Sequence, residues 1–443
     1  MSKTPIVDFV SKYSKQNIVR AHMPGHKGKG VLGVEKYDIT EVFGADDLYS
    51  ADGIIKESQE NVSKLFNTAK TLYSTEGSSL SIRAMLSLVK MYAEDNGLNA
   101  KIVAARNVHK TFVIAAGILG LDIDFIYSGS NLFDSVLTAD AFNQYLSSKE
   151  KPTALYVTSP DYLGNITDIK SLATICKKND ILLLVDNAHG AYLNFLEKNI
   201  HPIALGADIC CDSAHKTLPV ITGGGYLHIS KKAPKFIKDN AMNAMSLFAS
   251  TSPSYLILAS LDAANKYLET YKAKLSNFIK SVDLVKFKLK ENGYVLIGDE
   301  PLKITVNAKI YGYKGTELAE IFSKSGIMVE FYDDDYLCLM LTPSNSGCDL
   351  SKILKTFLKI ERKEPIKPTA PMLKPNRKAC SIGKALFGKS EVLPVMKSLG
   401  RVFADSSISC PPAIPVIISG EVIDENAIEL MKYYGIKKCK VLK

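Results

Sequence analysis

The sequence predicts an α/β fold, a mostly parallel sheet with helices on both faces. Three observations carry this. From about residue 56 to 260 strand-like and helix-like patterns alternate with short connections, which implies parallel pairing and right-handed crossovers. Residues 181–185 are a short apolar run, β-branched at both ends, that reads as a buried strand. It delivers Asp186 to the strand's carboxyl end, where open α/β sheets place their ligands. A second run, 207–211, leads into Ser213-Ala214-His215-Lys216.

Taken in order, residues 1–55 form a leading segment. Phe9, Val10 and Tyr13 suggest one short helix, and the stretch around Met23-Pro24-Gly25-His26 is too rich in Gly and Pro for a regular element. Residues 54–66 are helical by period, and a loop at 74–79 precedes an amphipathic helix through Ile82, Met85, Leu86, Leu88 and Val89. Strands are expected at 101–105, 122–127 and 154–158, with helices at 111–119, 139–146 and 169–177. Residues 254–289 hold no proline and read as one long helical connection closing a large domain, 56–290. A smaller α/β domain, 291–365, has strands at 303–306, 327–331 and 336–341 and helices at 317–324 and 350–360. A Lys- and Pro-rich crossing follows, within a C-terminal region of 366–443.

Composition narrows the class. Hydrophobic residues at 46% and charged residues at 23% are those of an ordinary globular protein. The net charge of +9 comes from lysines spread along the chain, without the concentrated basic footprint that nucleic-acid binding needs. None of the eight cysteines forms a C-x-x-C pair, so neither a zinc site nor a redox motif is indicated. No secretory leader and no run of about 18 apolar residues is seen. The expectation is a cytoplasmic protein with reduced thiols and no membrane partner.

Lys216, beside a histidine and a serine just past an apolar strand, suits a lysine that forms a Schiff base with a carbonyl cofactor. Asp186 suits the partner of a pyridinium nitrogen, which together point to pyridoxal 5'-phosphate. Alone, the first reads more readily as a surface lysine and the second equally as a helix cap; the pattern around them favours a site. Gly77 and Ser78 open a helix whose N-terminus could hold a phosphate, with Ser213 and His215 as further donors. Ala188 is small enough to approach the ring, and His109, between a strand and a helix, could stack on it. No H-E-x-x-H or similar metal spacing is present.

With these pieces in place the chain resembles the Orn/Lys/Arg decarboxylase family, major domain, among the fold-type I pyridoxal-phosphate enzymes. The matching stretches are Met23-Pro24-Gly25-His26-Lys27, the acidic run from Asp38 to Tyr49, the loop at Gly77 and Arg106-Asn107-Val108-His109-Lys110. They continue with Asp186-Asn187-Ala188-His189-Gly190, Ser213-Ala214-His215-Lys216-Thr217 and Ser250-Thr251-Ser252-Pro253. The resemblance implies a seven-stranded-type sheet and makes Lys216 the Schiff-base lysine, Asp186 the ring-nitrogen partner and His109 the stacking residue. Gly77, Ser78, Ser213 and His215 would surround the phosphate, with Thr251 reaching a neighbouring subunit's site. It further implies a homodimer or higher homo-oligomer with shared active sites, the leading segment packing there. The expected reaction is α-decarboxylation of lysine, arginine or ornithine, with Asp46, Asp47 and Glu330 as candidates for the substrate's cationic end. Aminotransfer, lyase chemistry or a paralogue without turnover are the alternatives. Three departures stand out: Asn187 where Glu is usual, Asp161-Tyr162 before Gly164, and a glycine-rich loop at 222–225. Pro411-Pro412-Ala413-Ile414-Pro415 stands where the family tends to Pro-Pro-Gly-Ile-Pro.

Overall fold

A computed structural model describes residues 3–129, 136–367, 370–405, 409–410 and 414–443. After helix α1 (Pro5–Ser14) and a largely irregular stretch, the chain forms α2 (Ile54–Phe66), β1 (Lys70–Ser74), α3 (Gly77–Asp95), β2 (Lys101–Ala105), α4 (Lys110–Leu119) and β3 (Asp122–Ile126). It continues through α5 (Ala139–Ser148), β4 (Ala154–Thr158), α6 (Ile169–Lys178), β5 (Leu182–Asp186), α7 (Pro202–Leu205) and β6 (Ile209–Asp212). Then come α8 (Ala214–Thr217), β7 (Gly225–Ile229), α9 (Lys235–Ser246), α10 (Tyr255–Leu268) and α11 (Tyr271–Glu291).

Among the described residues these seven strands form a mixed, mostly parallel sheet in the order β1-β7-β6-β5-β4-β2-β3. β2 runs parallel to β3 and β4, and β5 to β6, while β7 is antiparallel to both β1 and β6. β4 and β5 are buried along their whole length, which is why they read as unbroken apolar runs rather than alternating ones. The C-terminal part adds β8 (Leu296–Ile297), β9 (Lys303–Asn307), α12 (Gly315–Lys324), β10 (Phe331–Tyr332), β11 (Tyr336–Met340) and α13 (Gly347–Leu358). Its four strands pair antiparallel in the order β10-β11-β9-β8.

The chain divides into two compact units, residues 1–98 with 176–274, and residues 99–175 with 275–443. In the first, α3 buries Ile82, Met85, Leu86, Leu88 and Val89, each at most 2% exposed. Each such side chain contributes about 1.5–3 kcal/mol. The leading helix is fixed from far along the chain. Thr4 offers α1 no side-chain cap, and Asp262 on α10 supplies it, its Oδ2 accepting from Ile6 N (2.9 Å) and Val7 N (3.0 Å). In the second unit Leu318, Phe322, Leu337, Ile353 and Phe357 form a core between the small sheet and its helices.

Two expectations are corrected. Residues 254–289 are two helices, broken at a turn in which Thr270 N donates to Tyr267 O; past the break the buried Tyr271 ring packs edge-on against Phe195 (5.6 Å). The expected strand at 327–331 is only Phe331–Tyr332, because Asp333 Oδ1 accepts from Asp335 N and Tyr336 N and closes the hairpin at once. β1 and β7 were not foreseen as strands. Both carry polar residues, Thr71 and His228 among them, whose needs are met inside the sheet. The predicted motif at 411–415 falls mostly on residues 411–413, outside the described residues.

Candidate active site

β5 and β6 lie side by side, with Asp186 opposite Cys211 in the parallel register. β5 therefore delivers Asp186, and β6 delivers Ser213 and the single turn that carries His215 and Lys216, to the same sheet edge. Asp186 is 2% exposed; its Oδ1 accepts from Ala188 N (3.1 Å) and the Cys211 thiol (3.5 Å). Lys216 Nζ donates to His189 Nε2 at 2.9 Å. His189 is buried, three residues past Asp186 in the same loop.

The expected phosphate loop is built by glycine on both sides. Gly77 has φ +66° and opens α3, its N–H donating to Gly223 O (2.7 Å). A Cβ on Gly225 would sit 3.0 Å from Gly77 C and Asp212 O and 3.2 Å from Ser78 N, so only hydrogen fits there. Ser213 Oγ donates to Ser78 Oγ (2.7 Å), which leaves the Ser78 hydroxyl proton to donate at the helix N-terminus. His215 is held by Gly224 O, which accepts from its Nδ1 (2.9 Å) and its backbone N (3.1 Å). The unusual glycine-rich loop is thus the clamp on this corner. Thr251 is exposed, beside Ser250, whose N–H donates to Glu76 Oε1 (2.7 Å).

The departure at Asn187 opens onto a buried network that sequence reading missed. Asn187 Nδ2 donates to Asp212 Oδ1 (2.7 Å), and Asp212 Oδ2 accepts from His201 Nε2 (3.1 Å) and His228 Nε2 (3.0 Å). Ile203 N donates to His201 Nδ1 (3.3 Å), so the proton of that ring sits on Nε2. Thr71 Oγ1 lies 2.9 Å from His228 Nδ1. Burial pushes the Asp212 carboxyl up, but the two histidines more than offset it and hold it well below the usual carboxylate range. Burial pushes His228 down against the pull of Asp212. His201, Cys210 and Asp212 are close enough for a metal. With its proton on Nε2, however, His201 donates a hydrogen bond there instead of offering a lone pair. No motif marks His201 or His228; only their burial does, His228 within β7 and His201 at the cap of α7.

Two carboxylates expected near the substrate serve the backbone. Asp46 accepts from five amides, Gly53, Ile55 and Lys56 on Oδ2 and Asp47 and Asp52 on Oδ1, and so caps α2. The departure Asp161 builds a turn, its Oδ1 accepting from Leu163 N, Gly164 N and Asn165 N; burial pushes its carboxyl up. Asp47 is exposed and holds Tyr49 N and the Ser50 hydroxyl.

In the second unit His109 caps α4, its Nδ1 accepting from Thr111 N (3.1 Å), which fixes the ring's orientation and puts its proton on Nε2. Arg106, 1% exposed, donates from Nη1 to Pro415 O (2.8 Å) and from Nη2 to Val416 O (3.1 Å). Glu330 is exposed on the approach to β10.

A half-buried lysine–histidine contact, a strand-end aspartate and a glycine-lined helix N-terminus on one sheet edge define a pyridoxal-phosphate enzyme of α/β architecture. The residues fit that group: an amine for its aldehyde, a carboxylate for its ring nitrogen and hydroxyl donors for its phosphate. The chain belongs to the family described as Orn/Lys/Arg decarboxylase, major domain, whose model matches residues 4–296. It is a pyridoxal-phosphate-dependent decarboxylase of a basic amino acid. It is 27% identical to the arginine decarboxylase of Bacillus subtilis, over 96% of this chain and 92% of that protein. It is 28% identical to that of Bacillus anthracis, over 97% and 92%. Its fold is that of the Francisella novicida lysine decarboxylase LdcF, with a TM-score of 0.79 at 16% identity, covering all of this chain and 81% of the other. No helix among the described residues is long and apolar enough to cross a membrane.

Proposed function

We propose that this chain decarboxylates arginine through Lys216, Asp186 and His109, as a cytoplasmic fold-type I enzyme acting as a homodimer or larger homo-oligomer. The observation that carries the reading is the adjacency of β5 and β6, which brings Asp186 and Lys216 to one strand edge. Arginine is favoured by the names of the relatives that span nearly the whole chain.

Bound pyridoxal phosphate supplies an aldehyde for the lysine and a ring that draws electrons from the bond being broken. Lys216 would hold it through Nζ. Asp186 holds a proton at the ring nitrogen by charge pairing. His109, its ring set by the α4 cap, is assigned to the ring face on its motif. Ser78, Ser213 and His215 would hold the phosphate at the α3 N-terminus beside Gly77, with the small side chain of Ala188 toward the ring. Thr251, exposed here, serves a partner subunit. With Asp46 occupied by backbone amides, Asp47 and Glu330 remain for the guanidinium.

The test is a panel of arginine, lysine and ornithine assayed for released CO2, alongside the visible band of the lysine-bound cofactor. The reading expects CO2 without keto acid, fastest from arginine, and a band abolished in Lys216→Ala. Keto acid in place of CO2, or a band that survives Lys216→Ala, overturns it.

A further inference from the structure

Lys216 must do two things in any reaction that begins and ends on its amine. It must be held where the carbonyl carbon arrives, and it must give up a proton, because only an amine with a free lone pair attacks carbon. Desolvation alone frees that lone pair but leaves the proton without a destination. The contact at Nζ supplies one. His189 Nε2 lies 2.9 Å from Lys216 Nζ, within the reach required of a general base.

The loop that presents His189 is tied at every neighbouring residue. Asn187 N donates to Cys211 O (2.9 Å), Asn187 Nδ2 to Asp212 (2.7 Å), Ala188 N to Asp186 Oδ1 (3.1 Å) and Gly190 N to Asn187 O (2.8 Å). The imidazole is 5% exposed, and so is presented by a turn with little freedom to rotate away.

We propose that His189 is the proton acceptor for Lys216, taking a proton from Nζ when the lysine captures the cofactor and returning it when substrate displaces the lysine. An N–H bond at Nζ breaks, one at Nε2 forms, and the positive charge moves to the imidazole; nothing is oxidised or reduced. The inference rests on the cofactor assignment above and extends it to a residue that the expected site did not include.

The test is the rate at which the full chain, stripped of cofactor, develops the visible band when pyridoxal phosphate is added. His189→Ala is expected to slow capture by about a hundredfold, and added imidazole to restore it in proportion to its concentration. His189→Gln, which keeps a hydrogen-bond acceptor near Nζ but cannot take a proton, is expected to stay slow and to keep the wild-type unfolding midpoint. Wild-type capture rates in His189→Gln would show that holding the amine is sufficient and overturn the inference. So would slow capture in His189→Ala that imidazole leaves unchanged. If His189→Ala does not fold, the Gln variant decides alone. No band in the wild-type chain overturns the cofactor reading itself, and this inference with it.

Discussion

Asn187 and Asp212 meet at the ends of neighbouring strands, amide nitrogen to carboxylate oxygen at 2.7 Å. Asp212 is fully buried and already accepts from two histidines, so the residue facing it must donate. Asn187→Glu, which installs the residue more usual in the family, sets a second carboxylate against the first. We expect it to cost about 3–5 kcal/mol, as an uncompensated buried charge does. Pairing it with Asp212→Gln should recover about 0.5–3 kcal/mol beyond the sum of the single changes. A double-mutant cycle by urea unfolding measures this, and strict additivity would break the proposed pairing.

Asp262 caps α1 across the fold. Asp262→Ala should cost about 1–2 kcal/mol and raise hydrogen exchange in α1 well above that of α3. Equal exchange in both helices would mean that the leading segment is held by its apolar face alone.

The same carboxyl predicts a pH dependence. Burial lifts Asp262 to about 6, outweighing the hydrogen bonds from Ser58, Val7 and Ile6. Its folded value lies above the unfolded one of about 3.9, so the stability it contributes is full below about pH 4 and lost as pH rises through about 6. Asp212 runs the other way: its contribution is present above about pH 4 and lost as pH falls through its lower folded value. Asp262→Asn removes the first effect and leaves the second. Across that window the wild-type chain should therefore lose stability relative to Asp262→Asn as pH rises, read from unfolding midpoints. A constant difference would contradict the assigned shift.

Gly225→Ala should act through space, since its φ is ordinary and its Cβ would press on the Asp212 carbonyl and on the Gly77–Ser78 peptide. Overpacking of this kind costs about 1–3 kcal/mol. Because the atoms pressed are those of Gly77, Ser78 and Asp212, the larger effect should be weaker cofactor binding, followed by titration of the visible band. Unchanged affinity would place the phosphate elsewhere.

Arg106→Met removes both bonds that tie Pro415 and Val416 to the start of the His109 motif. It also leaves Glu421, whose carboxyl burial already pushes up, without its facing cation. We expect a loss of about 3–5 kcal/mol and faster proteolysis near residue 415. A fully resistant C-terminal region would show that its apolar packing is sufficient.

How much of this was legible follows the physics of each element. β4 and β5 are buried on both faces, so their apolar runs announced them. Asp186 and Lys216 were legible because the first ends such a run and the second sits in the turn just past the neighbouring strand. β1 and β7 were not: Thr71, Tyr73 and His228 look like surface residues until it is known that Thr71 and His228 meet each other across the pair and that Asn265 reaches the Tyr73 hydroxyl. Asp46 misled for the opposite reason. A sequence shows that it is acidic, but not that backbone amides already surround it.

That crowding around Asp46 bears on how the enzyme can be re-engineered. Its oxygens are the hub on which the turn into α2 closes, and the Tyr255 hydroxyl accepts from its backbone nitrogen. Efforts to retarget the catalyst to another amine by swapping acidic side chains should leave this one alone and vary Asp47 or Glu330, where a change of charge meets solvent before it meets the scaffold.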